Sequence, residues 1–239
     1  MTRPAQPKRT FGRRRGQGGA GPSRRKSLGG DYLAAVTAEA LKTAECNACM
    51  KRIVAAPTAG SCGVLPAVLL PLARSGEADE ESICDALYVA AGFGQVIAAR
   101  ATLAGAEGGC QAEVGAASAM AAAALCHLKG GAPEQCAAAA AMALGNLLGL
   151  VCDPVAGLVE VPCVKRNVVG AVNAVSCANM ALAGVDYAIP CDEVIDAMGR
   201  VGSLPLPRPP GDRSGRSCRH AHRRPYRPDP RRAGLMHRK

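Results

Sequence analysis

The sequence is poor in aromatic residues and in alternating apolar and polar residues. Tryptophan is absent, and aromatic residues make up 3% of the 239 residues. Modules that bind nucleic acid by stacking bases depend on such rings, so their scarcity argues against a nucleic-acid partner. Alternation at period two, the mark of a half-buried strand, is nearly absent, while alanine, the best helix former, is abundant. We therefore predict an all-α fold, a compact domain of about seven helices.

Acidic residues are scarce at both ends of the chain. Residues 1–28 carry nine Lys/Arg and no acid, and residues 200–239 carry twelve Lys/Arg and two Asp, whereas residues 29–199 carry eight basic and seventeen acidic residues. We predict a disordered basic tail over 1–28 and a helical domain over 29–202. Residues 203–239, rich in Pro and Arg, are either a natural basic tail or the product of a lost reading frame.

An apolar leader and a convincing membrane span are also lacking. The chain begins with arginines rather than with the apolar core of a signal segment. The most apolar run, residues 136–151, contains Asn146 and is interpreted as a buried core helix. The twelve cysteines are interpreted as thiols in a reducing cytoplasm, most of them small core hydrophobes, rather than as a disulfide scaffold.

Glycine and proline divide the middle of the chain into helical segments. Asp31 is predicted to cap the first helix, and Gly130 with Gly131 ends a central one. Residues 105–109 are interpreted as a glycine break and residues 152–163 as a loop. The predicted helices are 31–50, 64–74, 82–103, 111–128, 133–149, 166–183 and 190–199.

Three cysteines in loops of small residues carry the strongest chemical signal. Cys110 lies in EGGCQAE, and Cys152 and Cys163 bracket CDPVAGLVEVPC. Glycines before Cys110 and a helix after it favour a thiolate, and a loop rich in Pro and Gly can return two sulfurs to one point. Three thiolates would hold three irons of a four-iron cluster and leave the fourth open for a substrate. Spacing alone leaves a purely structural role open, since the ordinary ferredoxin runs are absent.

The segment PTAGSCG at residues 57–63 has the layout of an anion site at a helix entry. Thr58 and Ser61 supply hydroxyls, and Gly60 and Gly63 leave backbone N–H groups accessible. A substrate carboxylate suits this layout. A routine serine N-cap explains the same residues, so both interpretations remain open.

Three polar residues follow Cys163 closely. Lys165, Arg166 and Asn167 offer two cations and an amide beside the three-cysteine site. The alternative is a solvated first helical turn, although the helix dipole disfavours cations there. We predict these three residues, together with the loop at 57–63, as substrate-binding.

Three stretches together resemble the α subunit, or α domain, of the iron–sulfur L-serine dehydratases. They are IVAAPTAGSCG at 53–63, AEGGCQAEVG at 106–115 and LGLVCDPVAGLVEVPCVKRN at 148–167. The likeness covers residues 28–202 and is greatest to the form in which the α and β parts are separate chains.

This resemblance implies an enzyme that deaminates L-serine to pyruvate and ammonia without pyridoxal phosphate. It implies a [4Fe-4S] cluster held by Cys110, Cys152 and Cys163, whose open iron binds the serine hydroxyl as a Lewis acid. It further implies that the loop at 57–63 holds the serine carboxylate. A separate β subunit would complete the enzyme, with no membrane or nucleic-acid partner.

The chain departs from the family pattern after Gly199. The family's α part continues with a glycine-rich segment containing a Thr-Pro-Thr-Gly-like element, which residues 203–239 lack. For that reason no residue is assigned as the catalytic base. Two alternatives stay open: a related iron–sulfur lyase acting on another amino acid such as cysteine, and an inactive, truncated α subunit.

Overall fold

The computed structural model describes residues 28–152 and 162–204. Within these ranges the chain forms α-helices, one π-helical segment and no strand, so the all-α prediction is confirmed. The elements are α1 (Gly30–Ala48), α2 (Val64–Ser75), α3 (Glu80–Arg100), α4 (Gly105–Cys110), π1 (Gln111–Gly115), α5 (Ala116–Leu128), α6 (Pro133–Gly145), α7 (Cys163–Leu182) and α8 (Cys191–Ser203).

Helix α5 runs through the centre of the domain. Every residue from Ala116 to Cys126 is buried, and the helix contacts α2, α3, α6 and α7. A helix that is apolar on every face must be covered on every face, and methyl side chains keep this one thin enough for four neighbours. Helix α6 overlaps the run at 136–151 that was predicted as a buried core helix and is buried from Ala139 to Leu144, as expected, although it ends at Gly145 rather than near 149.

Polar side chains link α7 to the two alanine-rich helices. Ser118 Oγ donates to the Gly170 carbonyl at 2.8 Å and lies 2.9 Å from Asn173 Nδ2, which donates to it. Asn173 Nδ2 also donates to the Ala143 carbonyl at 2.8 Å, and Asn146 Nδ2 donates to Asn173 Oδ1 at 2.8 Å. Buried polar groups keep all these hydrogen bonds at only one orientation of the helix about its axis. They therefore orient α7, whose first turn carries much of the site described below.

Three helices begin earlier than predicted. Asp31 lies inside the first turn of α1, and Gly29 occupies the N-cap position. Helix α3 begins at Glu80 rather than at 82, because the Asp79 carboxylate accepts from the Ser82 N–H at 2.8 Å and caps it.

Helix α7 also starts before its predicted position at Arg166. The Pro162 carbonyl accepts from the backbone N–H groups of Lys165 and Arg166, at 3.0 and 3.1 Å. These bonds extend the helix to Cys163, so this cysteine belongs to a helical first turn rather than to a loop. Its backbone position is therefore set by the same helix that the core polar contacts orient.

Helix α3 is long and apolar enough to cross a membrane, judged by length and composition over the described residues. In the fold it lies on the domain surface, with 22% of its most apolar window buried. It rests on α5 through its one buried face, formed by Ala86, Ala90, Gly94 and Ile97. A single helix of this kind is weak evidence for a membrane span, since helices of soluble proteins meet the same criteria.

The predicted tails fall almost entirely outside the described residues. This holds for 1–27 and for 205–239, and also for residues 153–161 of the loop between Cys152 and Cys163. The boundaries of the tails and of the helical domain therefore stay predictions.

Candidate metal and substrate site

Gly109 brings the segment of Cys110 against the segment of Cys152. Its backbone, at φ 78° and ψ −172°, interrupts α4 one residue before the helix ends at Cys110. A side chain here would meet the Leu150 carbonyl oxygen at 3.1 Å and the Cys152 nitrogen at 3.4 Å. Only glycine combines this left-handed φ with so close a backbone approach. Cys110 and Cys152, two of the predicted cluster ligands, therefore lie on adjacent backbone segments.

Gln111 joins the segments of Cys110 and Cys152 by hydrogen bonds. Its backbone N–H donates to the Leu150 carbonyl at 2.8 Å, and its side-chain Oε1 accepts from the Gly149 N–H at 2.8 Å. The side chain is 3% exposed, so water does not compete for these bonds. No role of Gln111 was predicted from the sequence. The signal available in the sequence was a glutamine next to a cysteine at the start of an apolar helix.

Arg166 connects the third cysteine-bearing segment to the first two. It lies one helical turn after Cys163 on α7, and its Nη1 donates to Cys110 Sγ at 2.9 Å. The same nitrogen donates to the Val151 carbonyl at 2.9 Å, directly before Cys152. One guanidinium thus contacts the sulfur of Cys110 and the backbone carbonyl of Val151, next to Cys152.

The three thiols lie within electrostatic reach of one another. Burial raises the pKa of Cys163 to about 11, with further increases from Cys110 and Cys152 and an opposing effect of Arg166. Burial also raises the pKa of Cys110, against the effect of Arg166, and Cys152 again adds to the rise. Burial is the largest of these effects on both thiols. Metal binding at these sulfurs would therefore release protons.

The three thiols are the type of donor that holds an iron–sulfur cluster. In residues 28–152 and 162–204, no three Cys, His, Asp or Glu side chains are grouped closely enough to hold one ion. In a cluster the three sulfurs need not surround a single ion, because each thiolate binds a different iron. Cys110, Cys152 and Cys163 offer three thiols as donors, and Arg166 donates to the sulfur of Cys110. Hydrogen bonds to sulfur are a recognised feature of cluster sites.

The loop at 57–63 is hydrogen-bonded to the residues that follow Cys110. Thr58 Oγ1 donates to Glu113 Oε1 at 2.6 Å, and the hydroxyls of Thr58 and Ser61 lie 2.9 Å apart. The Glu113 carboxylate occupies the space where a side chain at Gly60 would lie, at 2.5 to 2.6 Å from an added Cβ. Ser61 is fully buried. The predicted substrate loop and the predicted cluster site are therefore neighbours.

Asn167 ties that loop to the start of α7. Its Oδ1 accepts from the Gly63 N–H at 2.9 Å, and its Nδ2 donates to the carbonyls of Gly60 at 2.8 Å and Cys163 at 3.0 Å. The side chain is 1% exposed. Asn167 therefore holds the loop, whereas the side chain of Lys165, two residues earlier, is exposed.

A family comparison decides what kind of protein carries this arrangement. A family model described as serine dehydratase alpha chain matches residues 8–206. The chain belongs to the serine dehydratase alpha chain family. The resemblance stated over residues 28–202 is confirmed, and the match begins earlier, at residue 8, and ends at residue 206.

Individual relatives agree with the family assignment. The chain is 53% identical over 178 residues to the L-serine dehydratase, alpha chain, of Peptoniphilus asaccharolyticus, covering 74% of this chain and 61% of that protein. It is 55% identical over 177 residues to a probable L-serine dehydratase, alpha chain, of Bacillus subtilis strain 168, covering 74% and 59%. It is 46% identical over 165 residues to L-serine dehydratase 2 of Escherichia coli K12, covering 68% and 36%. The chain thus spans about three fifths of the length of the alpha chains of Peptoniphilus asaccharolyticus and Bacillus subtilis.

Glu113 is a second residue, after Gln111, whose place in the site was not predicted from the sequence. It was quoted in a motif without a role, although it is the one acid between Glu107 and Glu134. Its position in a π-helical segment is informative, since such segments occur preferentially at functional sites. Its charge also raises the pKa values of Cys62, Cys110 and Cys163, behind the larger effect of burial on each.

Proposed function

We propose that this chain is the cluster-bearing α subunit of an L-serine dehydratase, in which Cys110, Cys152 and Cys163 hold a [4Fe-4S] cluster. The observation that carries the proposal is the double hydrogen bond of Arg166 to Cys110 Sγ and to the Val151 carbonyl, both at 2.9 Å. It joins three segments that each contribute one thiol, far apart in the sequence, around a common charge. A set of merely structural cysteines does not require such a link.

The reaction removes water and then ammonia from L-serine, independently of pyridoxal phosphate. The substrate loses its hydroxyl and its α-proton, and the enamine that remains tautomerises and hydrolyses to pyruvate and ammonia. When bound, the cluster supplies a Lewis-acidic iron for the departing hydroxyl. We assign the acceptor of the α-proton to no residue of this chain.

The loop at 57–63 is proposed to hold the serine carboxylate, with Thr58 and Ser61 as hydroxyl donors and Gly60 and Gly63 as backbone. Its closeness to the cysteine site supports this role, because the carboxylate and the hydroxyl of serine are only a few bonds apart. Glu113 and Asn167 hold the loop in place through the hydrogen bonds described above. Of the residues after Cys163, exposed Lys165 is proposed to face the substrate or the partner.

A separate β subunit is proposed as the partner, in the cytoplasm. Relatives at 53% and 55% identity are named as alpha chains, whereas the Escherichia coli relative at 46% identity is named as an L-serine dehydratase without a chain designation. The greater likeness to the alpha chains supports a two-chain enzyme. Residues outside the matched part of those relatives would complete the substrate site.

Iron binding by cysteine variants tests the cluster proposal. The full chain is purified without oxygen and reconstituted with iron and sulfide, and its iron, sulfide and visible absorbance are measured. We expect about four irons per chain for the wild type and a marked loss for Cys110→Ala, Cys152→Ala and Cys163→Ala. Cys84→Ala is the matched control, since Cys84 is exposed on α3 and is expected to leave the iron content unchanged. Equal iron content in all five proteins would refute the assignment.

Turnover tests the reaction itself. The reconstituted chain is combined with a β subunit of its own organism, and the formation of pyruvate is followed with L-serine and, separately, with L-cysteine. We expect turnover of serine that disappears in air together with the visible absorbance. Full serine turnover by a colourless, iron-free protein would rule out the proposed function, and preferential turnover of cysteine would reassign the substrate.

A further inference from the structure

The guanidinium of Arg166 occupies the junction of the three cysteine-bearing segments. Its Nη1 has two hydrogens, and its two acceptors, Cys110 Sγ and the Val151 carbonyl, each lie at 2.9 Å. Arg166 itself follows Cys163 by three residues, so the two share one face of α7. Sequence reasoning placed Arg166 among the substrate-binding residues. Both hydrogens of this nitrogen are instead directed to groups of the protein.

The charges around Arg166 explain why a cation is held there. With a cluster bound, the thiolates of Cys110, Cys152 and Cys163 would add negative charge to that of the Glu113 carboxylate, which already acts on Cys110 and Cys163. Arg166 is half-buried and contacts the sulfur of Cys110, whereas Lys165 on the same turn is exposed. A guanidinium suits this position better than an ammonium, because its donors are fixed in one plane and it is more weakly hydrated.

We propose that Arg166 is a positioning residue for the iron–sulfur cluster: it aligns the Cys110 sulfur with the Val151–Cys152 backbone and donates a charge-assisted hydrogen bond to the Cys110 thiolate. This inference rests on the proposed function, since it requires a cluster at these cysteines. It predicts that the loss of Arg166 weakens cluster retention. It also predicts a lower reduction potential, because removing a positive charge beside a cluster disfavours the added electron.

Cluster retention in matched variants separates this role from substrate binding. Arg166→Gln removes the charge and the guanidinium, Arg166→Lys retains the charge, and Lys165→Gln removes the neighbouring exposed charge. The full chains are reconstituted without oxygen, and the loss of visible absorbance is timed after addition of an iron chelator. Partners that orient metal ligands typically contribute 10–100-fold to metal affinity. We expect chelator-driven iron loss roughly tenfold faster or more in Arg166→Gln, an intermediate rate in Arg166→Lys and the wild-type rate in Lys165→Gln.

A reduction potential measured by redox titration is the second readout. We expect a more negative potential for Arg166→Gln and a value close to the wild type for Lys165→Gln. A general loss of folding would appear in the thermal unfolding of the cluster-free chains. If Arg166→Gln fails to fold, the comparison of Arg166→Lys with Lys165→Gln decides, since the more conservative change should still accelerate iron loss.

Two outcomes overturn the inference, and they differ from each other. Wild-type iron retention and potential in both Arg166 variants would overturn the positioning role alone and leave the cluster in place. In that case a raised KM for serine in those variants, measured with the β subunit, would return Arg166 to the substrate. Failure of the wild-type chain to take up iron would instead overturn the proposed function, and this inference with it.

Discussion

Thr58 donates a 2.6 Å hydrogen bond to Glu113 across 55 residues of sequence. The bond joins the loop at 57–63 to the π-helical segment that begins directly after Cys110. The candidate substrate loop and the first candidate cluster ligand are therefore mechanically coupled. A change at one of these two side chains should be felt by both parts of the site.

Replacing Thr58 tests that coupling. Thr58→Val retains the shape and removes the donor, which leaves a half-buried carboxylate without this partner. Because hydrogen bonds to charged groups contribute about 1.5–3 kcal/mol, we expect a loss of about 2 kcal/mol in the free energy of unfolding, measured in urea. Thr58→Ser retains the hydroxyl and should lose much less. Equal stability of the Val and Ser variants would contradict a role for this bond.

Replacing Gly109 tests whether the segments that carry Cys110 and Cys152 must lie close together. Gly109→Ala places a methyl group near the Leu150 carbonyl, at φ 78°. Gly130→Ala is the matched control, since Gly130 has φ 80° and no atom within 4 Å of an added Cβ. The control should lose about 1 kcal/mol from backbone strain alone, and Gly109→Ala roughly twice that or more. Iron retention should fall only in Gly109→Ala, and a similar fall in both variants would argue against the close approach.

Asn167 is expected to be more important for stability than its neighbours on α7. Asn167→Ala leaves the buried Gly63 N–H and Gly60 carbonyl without their partner, so we expect a loss of about 2–3 kcal/mol in urea unfolding. Asn179→Ala, at an exposed position of the same helix, should remain within about 0.5 kcal/mol of the wild type. Comparable losses in the two variants would show that helix propensity, and not the loop contact, explains the effect.

The ion pair between α1 and α2 predicts how stability changes with pH. Burial by itself raises the pKa of Glu39, but hydrogen bonds and charges from Arg74 and Lys42 hold it below the ordinary value of 4.5. The folded state therefore binds fewer protons, so this stabilisation is fully present above pH 4.5 and is lost as the pH falls through the folded-state pKa.

Unfolding in urea at pH 7 and at pH 3 checks this effect. The difference in stability between wild type and Glu39→Gln should shrink towards acid pH, because protonation makes the wild-type side chain neutral as well. Arg74→Gln should lose about 1–2 kcal/mol at pH 7, since Glu39 is 10% and Arg74 56% exposed at the side chain. A pH-independent difference between wild type and Glu39→Gln would contradict the assignment.

Local sequence signals predicted most helices and failed where distant contacts act. The start of α2 at Val64 and the end of α5 at Leu128 were predicted correctly, because glycines and helix formers mark them within one turn. The glycine run at 105–109 was taken for a break, whereas most of it forms α4. The break is confined to Gly109, whose conformation is set by residues 150–152, about forty positions away.

For the candidate site, the sequence predicted which residues take part but not what each of them contacts. The three cysteines, the loop at 57–63 and the polar residues after Cys163 were all singled out from residue type and motif. Their roles within the site were not, since nothing local distinguishes exposed Lys165 from Arg166, which contacts a sulfur. Glu113 and Gln111 were missed because a lone acid and a lone amide in a helix have no periodicity to reveal them.

Sequence alone determined the helical class and the alanine-rich centre, and it singled out the three candidate thiols, since helix propensity, burial and motif composition are properties of neighbouring residues. Tertiary structure decided which groups meet: Arg166 with Cys110, Thr58 with Glu113, and Asn167 with the glycines of the loop. These pairs are separated by 55 to 107 residues, and only the packing of α7 and π1 around the buried α5 brings them within hydrogen-bond distance.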